Sequence, residues 1–237
     1  MEEKTENGDV QFTIMENKDW VERWDAAQIG FHNTYIHPML QRNIGNVIGD
    51  QKNLRVFVPL CGKSLDIKWL ASQGYTVFGV ELAEKALQDF FQENDIPFTT
   101  EAAPSVDGII FKSDDGRIIL YCCDLFRISN DVVGQFDIIW DRGSLVAINR
   151  EDREKYAALI KSLMAPGCKY LACTVEYDET KHKGPPHNVT DDAMQKLYGD
   201  TCEVTKADRE DAIEDKHREW GLTSFFENLY VVEQKHS

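Results

Sequence analysis

Between Arg55 and Leu82 the chain reads RVFVPLCGKSLDIKWLASQGYTVFGVEL, and the period of its apolar positions changes twice. Val56, Phe57, Val58 and Leu60 form a β-rich run, interrupted by Pro59 and closed by Cys61-Gly62. A near-continuous apolar run is what a strand covered on both faces requires. Leu65, Trp69 and Leu70 then fall at helical spacing, Gly74 stops the helix, and Val77-Phe78-Gly79-Val80 opens a second buried strand ending at Glu81. The pattern predicts a βαβ unit.

The flanking text extends it. Residues from Met1 to about Met15 are polar, acidic and aperiodic, which predicts a mobile tail. NKDWVERWDAAQIGFH offers Asn17 or Asp19 as a helix cap, puts Trp20 and Trp24 on one face, and stops at Gly30. Those indoles either pack onto the sheet or lie across a ligand mouth as part of a lid, with Phe31 as the contact residue. A second helix is predicted in TYIHPMLQRNIGNVI, and an amphipathic crossover helix from Ala83 to Asp95. Ile96 to Gly116 reads as an irregular excursion with one short strand, GIIFK. Further strands are predicted in Arg117–Phe126, Phe136–Trp140 and Tyr170–Val175, with a helix from Glu151 to Met164 stopped by Pro166-Gly167. After a short helix capped by Thr190, CEVTKADRED and LTSFFENLYVVEQ predict an antiparallel pair, with Lys216, His217, Arg218 and Trp220 between them. The sum is an α/β fold: a doubly wound, mostly parallel seven-stranded sheet with an antiparallel edge. It forms one domain over residues 16–237, with an N-terminal helical lid at about 16–50.

Composition narrows the partners. With 26 Lys and Arg against 41 Asp and Glu, the formal charge is −15, and 42% of residues are hydrophobic. Nucleic acid or an anionic membrane normally needs a basic surface, so neither is expected, and a small-molecule substrate is. The N-terminus shows no charged-then-apolar leader, and no apolar run nears the roughly 18 residues that cross a bilayer. A cytoplasmic monomer is expected, since no heptad pattern or long apolar edge suggests a partner copy. The six cysteines form no C-x-x-C pair and read as reduced core residues, Cys61 being a packing thiol at the turn. The six histidines lack metal-ligand spacing, and no metal is expected.

The chemistry follows from strand ends. In doubly wound sheets ligands bind off the carboxyl ends of the strands, where an acid about 20 positions past the first glycine turn takes the two ribose hydroxyls. Gly62 and Glu81 are nineteen positions apart, which points to an adenosine-bearing cofactor. Asp124 ends the third buried strand and either accepts from the adenine amino group, with Leu125 against the ring, or simply terminates the strand in a turn. Asp141-Arg142-Gly143 follows the fourth strand, where Arg142 can bind an anionic or polarisable substrate or a cofactor carboxylate; the alternative is a surface ion pair. Gly184-Pro185-Pro186 makes a stiff turn that suits a substrate wall or a plain surface loop. A nicotinamide dinucleotide needs G-x-G-x-x-G to bring backbone to its pyrophosphate, and PLCGKS has one glycine. S-adenosylmethionine carries no phosphate, and Gly62, Glu81 and Asp124 meet its demands in chain order.

PLCGKSLDIKWLA, GVEL, LYCCDLF, WDRGSLVAI, YDETKHKGPP, HREWG…FFENLY and DWVERW…GFH together resemble the thiopurine S-methyltransferase family, from Trp20 to about Val232. The resemblance implies a class I methyltransferase fold. It also implies methyl transfer from S-adenosylmethionine to a thiol or selenol, leaving S-adenosylhomocysteine. By it, Trp20, Trp24, Leu60, Glu81, Asp124, Leu125 and Arg142 match cofactor-contact positions, and Phe31 a substrate-wall position. Vertebrate members carry Ser at Asp124 and Arg at Lys216, and Lys cannot reproduce a bidentate fork. An in-line displacement asks the protein mainly to align a sulfur nucleophile and exclude water. Arg142, with Lys216 or Arg218, is then expected to favour the thiolate, without a covalent enzyme intermediate. Asp19 and Asp141 are the candidates for a general base, and Pro185 completes the substrate wall.

Overall fold

The computed structural model describes residues 12–235. Helices α1 (Asn17–Asp25) and α2 (Pro38–Ile48) precede β1 (Arg55–Val58), α3 (Leu65–Ser72), β2 (Thr76–Glu81) and α4 (Glu84–Glu93). Strands β3 (Phe98–Ala103), β4 (Gly108–Ser113) and β5 (Ile118–Cys122) follow, then α5 (Asn130–Val133), β6 (Phe136–Arg142) and α6 (Arg153–Leu163). The chain finishes with β7 (Met164–Tyr177), α7 (Asp191–Tyr198), β8 (Cys202–Asp211), α8 (Asp215–Glu219) and β9 (Phe225–Gln234).

The nine strands of the described residues form one sheet in the order β3-β4-β5-β2-β1-β6-β7-β9-β8. The five central strands, β5 to β7, pair parallel. Both flanks are antiparallel. The sheet therefore exceeds the expected seven strands and has two antiparallel edges rather than one. The excursion after α4 is a hairpin, β3 with β4, laid against β5.

Each central strand feeds two cores because successive side chains leave opposite faces. Val56 and Val58 of β1, with Leu120 of β5 and Trp140 of β6, pack under α2, α3 and α4 through Leu40, Ile67 and Phe90. Phe57 of β1, with Val80 of β2 and Ile139 of β6, packs under α6 and α7 through Tyr156, Ile160 and Tyr198. A sheet covered on both faces explains the apolar runs. Strand order reverses at β1, whose neighbours β2 and β6 lie on opposite sides, so a crevice opens beyond the carboxyl ends of β1 and β6.

Two N-terminal expectations change. The cap of α1 is Glu16, in a capping box with Asp19, rather than Asn17 or Asp19, and α1 ends at Asp25 rather than at Gly30. Of the expected tail, residues 1–11 lie outside the described residues, whereas Phe12 to Met15 are docked. Thr13 N–H donates to the Lys183 carbonyl at 3.3 Å, and Met15 N–H donates to Asn149 Oδ1 at 3.0 Å.

Candidate active site

The crevice is one cavity of about 500 Å³, and the turn after β1 forms its floor. Leu60 has φ +40° and Gly62 φ +49°, so this turn runs through left-handed backbone at two positions. At Leu60 that conformation stores strain, of the kind that collects at ligand-binding sites. At Gly62 a Cβ would lie 2.9 Å from Trp24 Cζ2. Only glycine fits there. Gly62→Ala is expected to cost about 1–2 kcal/mol of stability through φ and crowding, read as a lower urea midpoint with unchanged m.

Glu81 ends β2 and ties two turns together. Its Oε2 accepts from Gly62 N–H at 3.0 Å, and its Oε1 from Leu82 and Ala83 N–H at 2.8 and 2.9 Å. Burial pushes its carboxyl up, while those three amides pull the other way. A carboxylate has about four lone-pair sites, so three amides leave room for another donor. Asp124 follows β5 and accepts from Phe126 N–H at 2.9 Å through Oδ1, and from Asn17 Nδ2 at 3.2 Å through Oδ2. That second bond brings α1 to the mouth. Trp20 and Trp24 each meet Phe31 edge-on, with centroids 5.7 and 5.6 Å apart, and all three line the cavity. The indoles thus lie across the mouth, while buried Trp24 also packs on Ala83 and Ala86.

The structure brings Trp20, Trp24, Leu60, Gly62, Glu81, Asp124 and Leu125 to one part of the cavity lining, and Phe31, Arg142, Pro185 and Lys216 also line it. Arg142 Nη1 donates to the Phe31 carbonyl at 2.9 Å. Lys216 pairs with Glu214 at 2.8 Å on α8. Trp220 stacks on His182 at 4.0 Å and His217 on Phe225 at 3.8 Å, which pins that helix to the Pro-rich loop and to β9.

Three candidates fall elsewhere. Arg218 is exposed, pairs with Asp215 at 2.9 Å, and is absent from the lining. Positions 216 and 218 are about 200° apart around a helix, so both cannot face one cavity. Asp141 is fully buried on the opposite side of β6 from Arg142, where Oδ2 accepts from Tyr156 and Tyr170 hydroxyls at 2.6 and 2.8 Å and Oδ1 from Leu145 N–H at 3.1 Å. It is neither displayed at the mouth nor paired with Arg142. Asp19 accepts from Glu16 N–H at 2.7 Å in the capping box and does not line the cavity.

A further group was missed in sequence. His37, Cys173 and Glu227 each bring one ligand-type atom within 4.8 Å of the others, and Cys173 and Glu227 line the cavity. Register brings two of them together: Cys173 of β7 pairs with Arg142 of β6, and Glu227 of β9 pairs with Val175, two positions on; His37 joins them from the start of α2. The available signal was an acid within the apolar alternation of FFENLYVV. Burial, and then the Glu227 charge, push the Cys173 thiol well up, so it stays protonated.

The fit to S-adenosylmethionine rests on the glycine cradle beside Trp24 and the spare lone pair of Glu81. Solved structures of similar fold agree with a methyltransferase architecture. A Burkholderia thailandensis 1,6-didemethyltoxoflavin-N1-methyltransferase with bound S-adenosylhomocysteine superposes with TM-score 0.64 at 15% identity, over 92% of this chain and 87% of the other. An S-adenosylmethionine-dependent methyltransferase of Anabaena variabilis superposes with TM-score 0.64 at 13% identity, over 95% and 98%. In sequence, a probable thiopurine S-methyltransferase of Danio rerio is 44% identical over 94% of this chain and 96% of its own. The thiopurine S-methyltransferase of Rattus norvegicus is 42% identical over 92% and 91%. The thiopurine S-methyltransferase family model matches residues 15–235, and the chain belongs to that family.

Proposed function

We propose that this chain methylates the sulfur of thiopurines and related heteroaromatic thiols, using S-adenosylmethionine as donor. The observation that carries the reading is a single chamber joining the Gly62 turn and Glu81 to a wall of Phe31, Tyr35, Arg142 and Pro185. When bound, S-adenosylmethionine supplies an already activated sulfonium methyl, so no covalent enzyme intermediate is needed. Glu81 binds the ribose hydroxyls, Asp124 and Leu125 take the adenine, and the α1 indoles exclude water from the mouth. Phe31 and the Pro185 loop hold a flat acceptor.

Arg142 is the group best placed to favour the thiolate. A free thiol with pKa about 8.5 is a few per cent ionised at neutral pH, and a nearby guanidinium raises that share. Lys216 contributes less, because Glu214 already neutralises it. Arg142→Ala is expected to lower kcat/KM about 30-fold, the worth of one charged hydrogen bond, with the melting temperature nearly unchanged because the side chain is half-buried. Unchanged kinetics would contradict the role. The acidic chain, with net charge −15, suits a cytoplasmic monomer acting on small molecules. Among the described residues no helix is long and apolar enough to cross a membrane.

The reading is tested by titrating S-adenosylmethionine calorimetrically and then assaying 6-mercaptopurine, an aryl thiol, sulfide and selenide. Micromolar cofactor binding with methylation of the aromatic thiols is expected. Binding without turnover on any acceptor would make the protein a cofactor-binding protein instead.

A further inference from the structure

The acceptor wall carries a half-buried negative charge that a simple thiolate-stabilising site does not need. Glu227 lines the cavity beside Arg142 and Cys173, its side chain about 21% exposed. Its Oε2 lies 3.3 Å from His37 Nε2. His37 is held in place through its backbone: its backbone N–H donates to Asp66 Oδ1 at 2.8 Å, Asp66 Oδ2 accepts from Trp140 Nε1 at 2.8 Å, and the imidazole lies against the Trp140 ring. An anion so anchored beside an apolar cavity is costly unless a donor meets it. A thiolate cannot, because it would be repelled.

We propose that Glu227, held by His37, recognises the ring N–H next to a thiocarbonyl and receives that proton as the sulfur is methylated. This deepens the proposed function and rests on it. Heteroaromatic thiols such as 6-mercaptopurine exist largely as the thione, with the proton on ring nitrogen rather than on sulfur. In that tautomer the sulfur lone pair forms the new S–CH₃ bond, and the donor's sulfonium C–S bond breaks with its pair returning to the donor sulfur. The N–H pair stays on nitrogen and restores the aromatic ring, and the proton moves to the carboxylate. An S-methylated thioamide N–H is strongly acidic, so a weak base suffices. Burial alone would raise the Glu227 carboxyl, but the contact with His37 and the charges of Arg142 and Lys216 outweigh it and hold it below the usual range, so it stands as the carboxylate.

Glu227→Gln keeps the shape and removes the charge. The ratio of kcat/KM for 6-mercaptopurine to that for thiophenol, which has no ring N–H, is expected to fall about 30-fold in the variant, the range of one charged hydrogen bond. The Kd of 6-mercaptopurine for protein saturated with S-adenosylhomocysteine should rise by a similar factor. Wild-type protein offers a check that needs no variant: 1-methyl-6-thiopurine, which lacks the N–H, should be a roughly 30-fold poorer acceptor than 6-mercaptopurine. An unchanged ratio in Glu227→Gln, or equal use of the two purines by wild type, overturns the assignment while leaving S-methylation intact. Failure of wild type to methylate either thiophenol or 6-mercaptopurine overturns the proposed function as well.

Discussion

Glu81→Gln is expected to weaken S-adenosylmethionine binding by about 100-fold or more, measured by calorimetry. The carboxylate accepts from three backbone amides and, in the proposed cofactor complex, from a ribose hydroxyl; charged hydrogen bonds of this kind contribute about 1.5–3 kcal/mol each. A carboxamide turned either way faces at least one amide donor with its own NH₂. The turn at Gly62 then shifts, and the cradle shifts with it. A pH dependence follows with a definite sign. The ionised form is the acceptor, and burial raises the folded-state pKa above the ordinary glutamate value. Affinity is therefore greatest above that pKa and falls on acidification, starting at a higher pH than for an exposed glutamate. A variant that binds within threefold of wild type would remove Glu81 from the cofactor site.

The second large effect lies on the other side of β6. Asp141→Ala is expected to destabilise the fold by about 3–4 kcal/mol, because it orphans the Tyr156 hydroxyl and Leu145 N–H, leaves Tyr170 only its Tyr198 hydroxyl partner, and opens a cavity. Equilibrium urea unfolding measures it, through a lower midpoint. Asp141→Asn should cost less, about 1–2 kcal/mol, since its carbonyl oxygen still accepts from the tyrosines. The buried carboxyl is pushed up by desolvation, and the tyrosine and amide donors only partly offset that. If Asp141→Ala unfolds at the wild-type midpoint while losing turnover, the residue belongs to the chemistry and not to the core.

These two residues also mark what was legible in the sequence. Glu81 was readable because the βαβ unit is local: two apolar runs, one glycine turn and an acid nineteen positions on need no tertiary information. Asp141 was misplaced because adjacent strand residues face opposite ways, and the sequence does not say which one meets the cavity. The Phe98–Ala103 strand was overlooked because an edge strand whose residues 99–102 are all exposed carries no apolar alternation to read. Arg218 was drawn in by its charge alone; the helical turn around Lys216 sends it to solvent. Glu227 and His37 are 190 positions apart; the order β6-β7-β9 with its register brings Glu227 toward Arg142, and His37 reaches it from the start of α2. The proposed cofactor side is built largely from local motifs, and the proposed acceptor side is a long-range product of sheet topology.

The central claim is that sulfur, and not nitrogen or oxygen, is the atom this cavity presents for methylation. The direct measurement is a reaction of wild-type protein with 6-mercaptopurine and S-adenosylmethionine labelled with ¹³C at the methyl, followed by NMR of the product. The account predicts a single labelled resonance in the S-methyl region, appearing in step with S-adenosylhomocysteine. A labelled N-methyl resonance, or S-adenosylhomocysteine formed without a methylated purine, would contradict it.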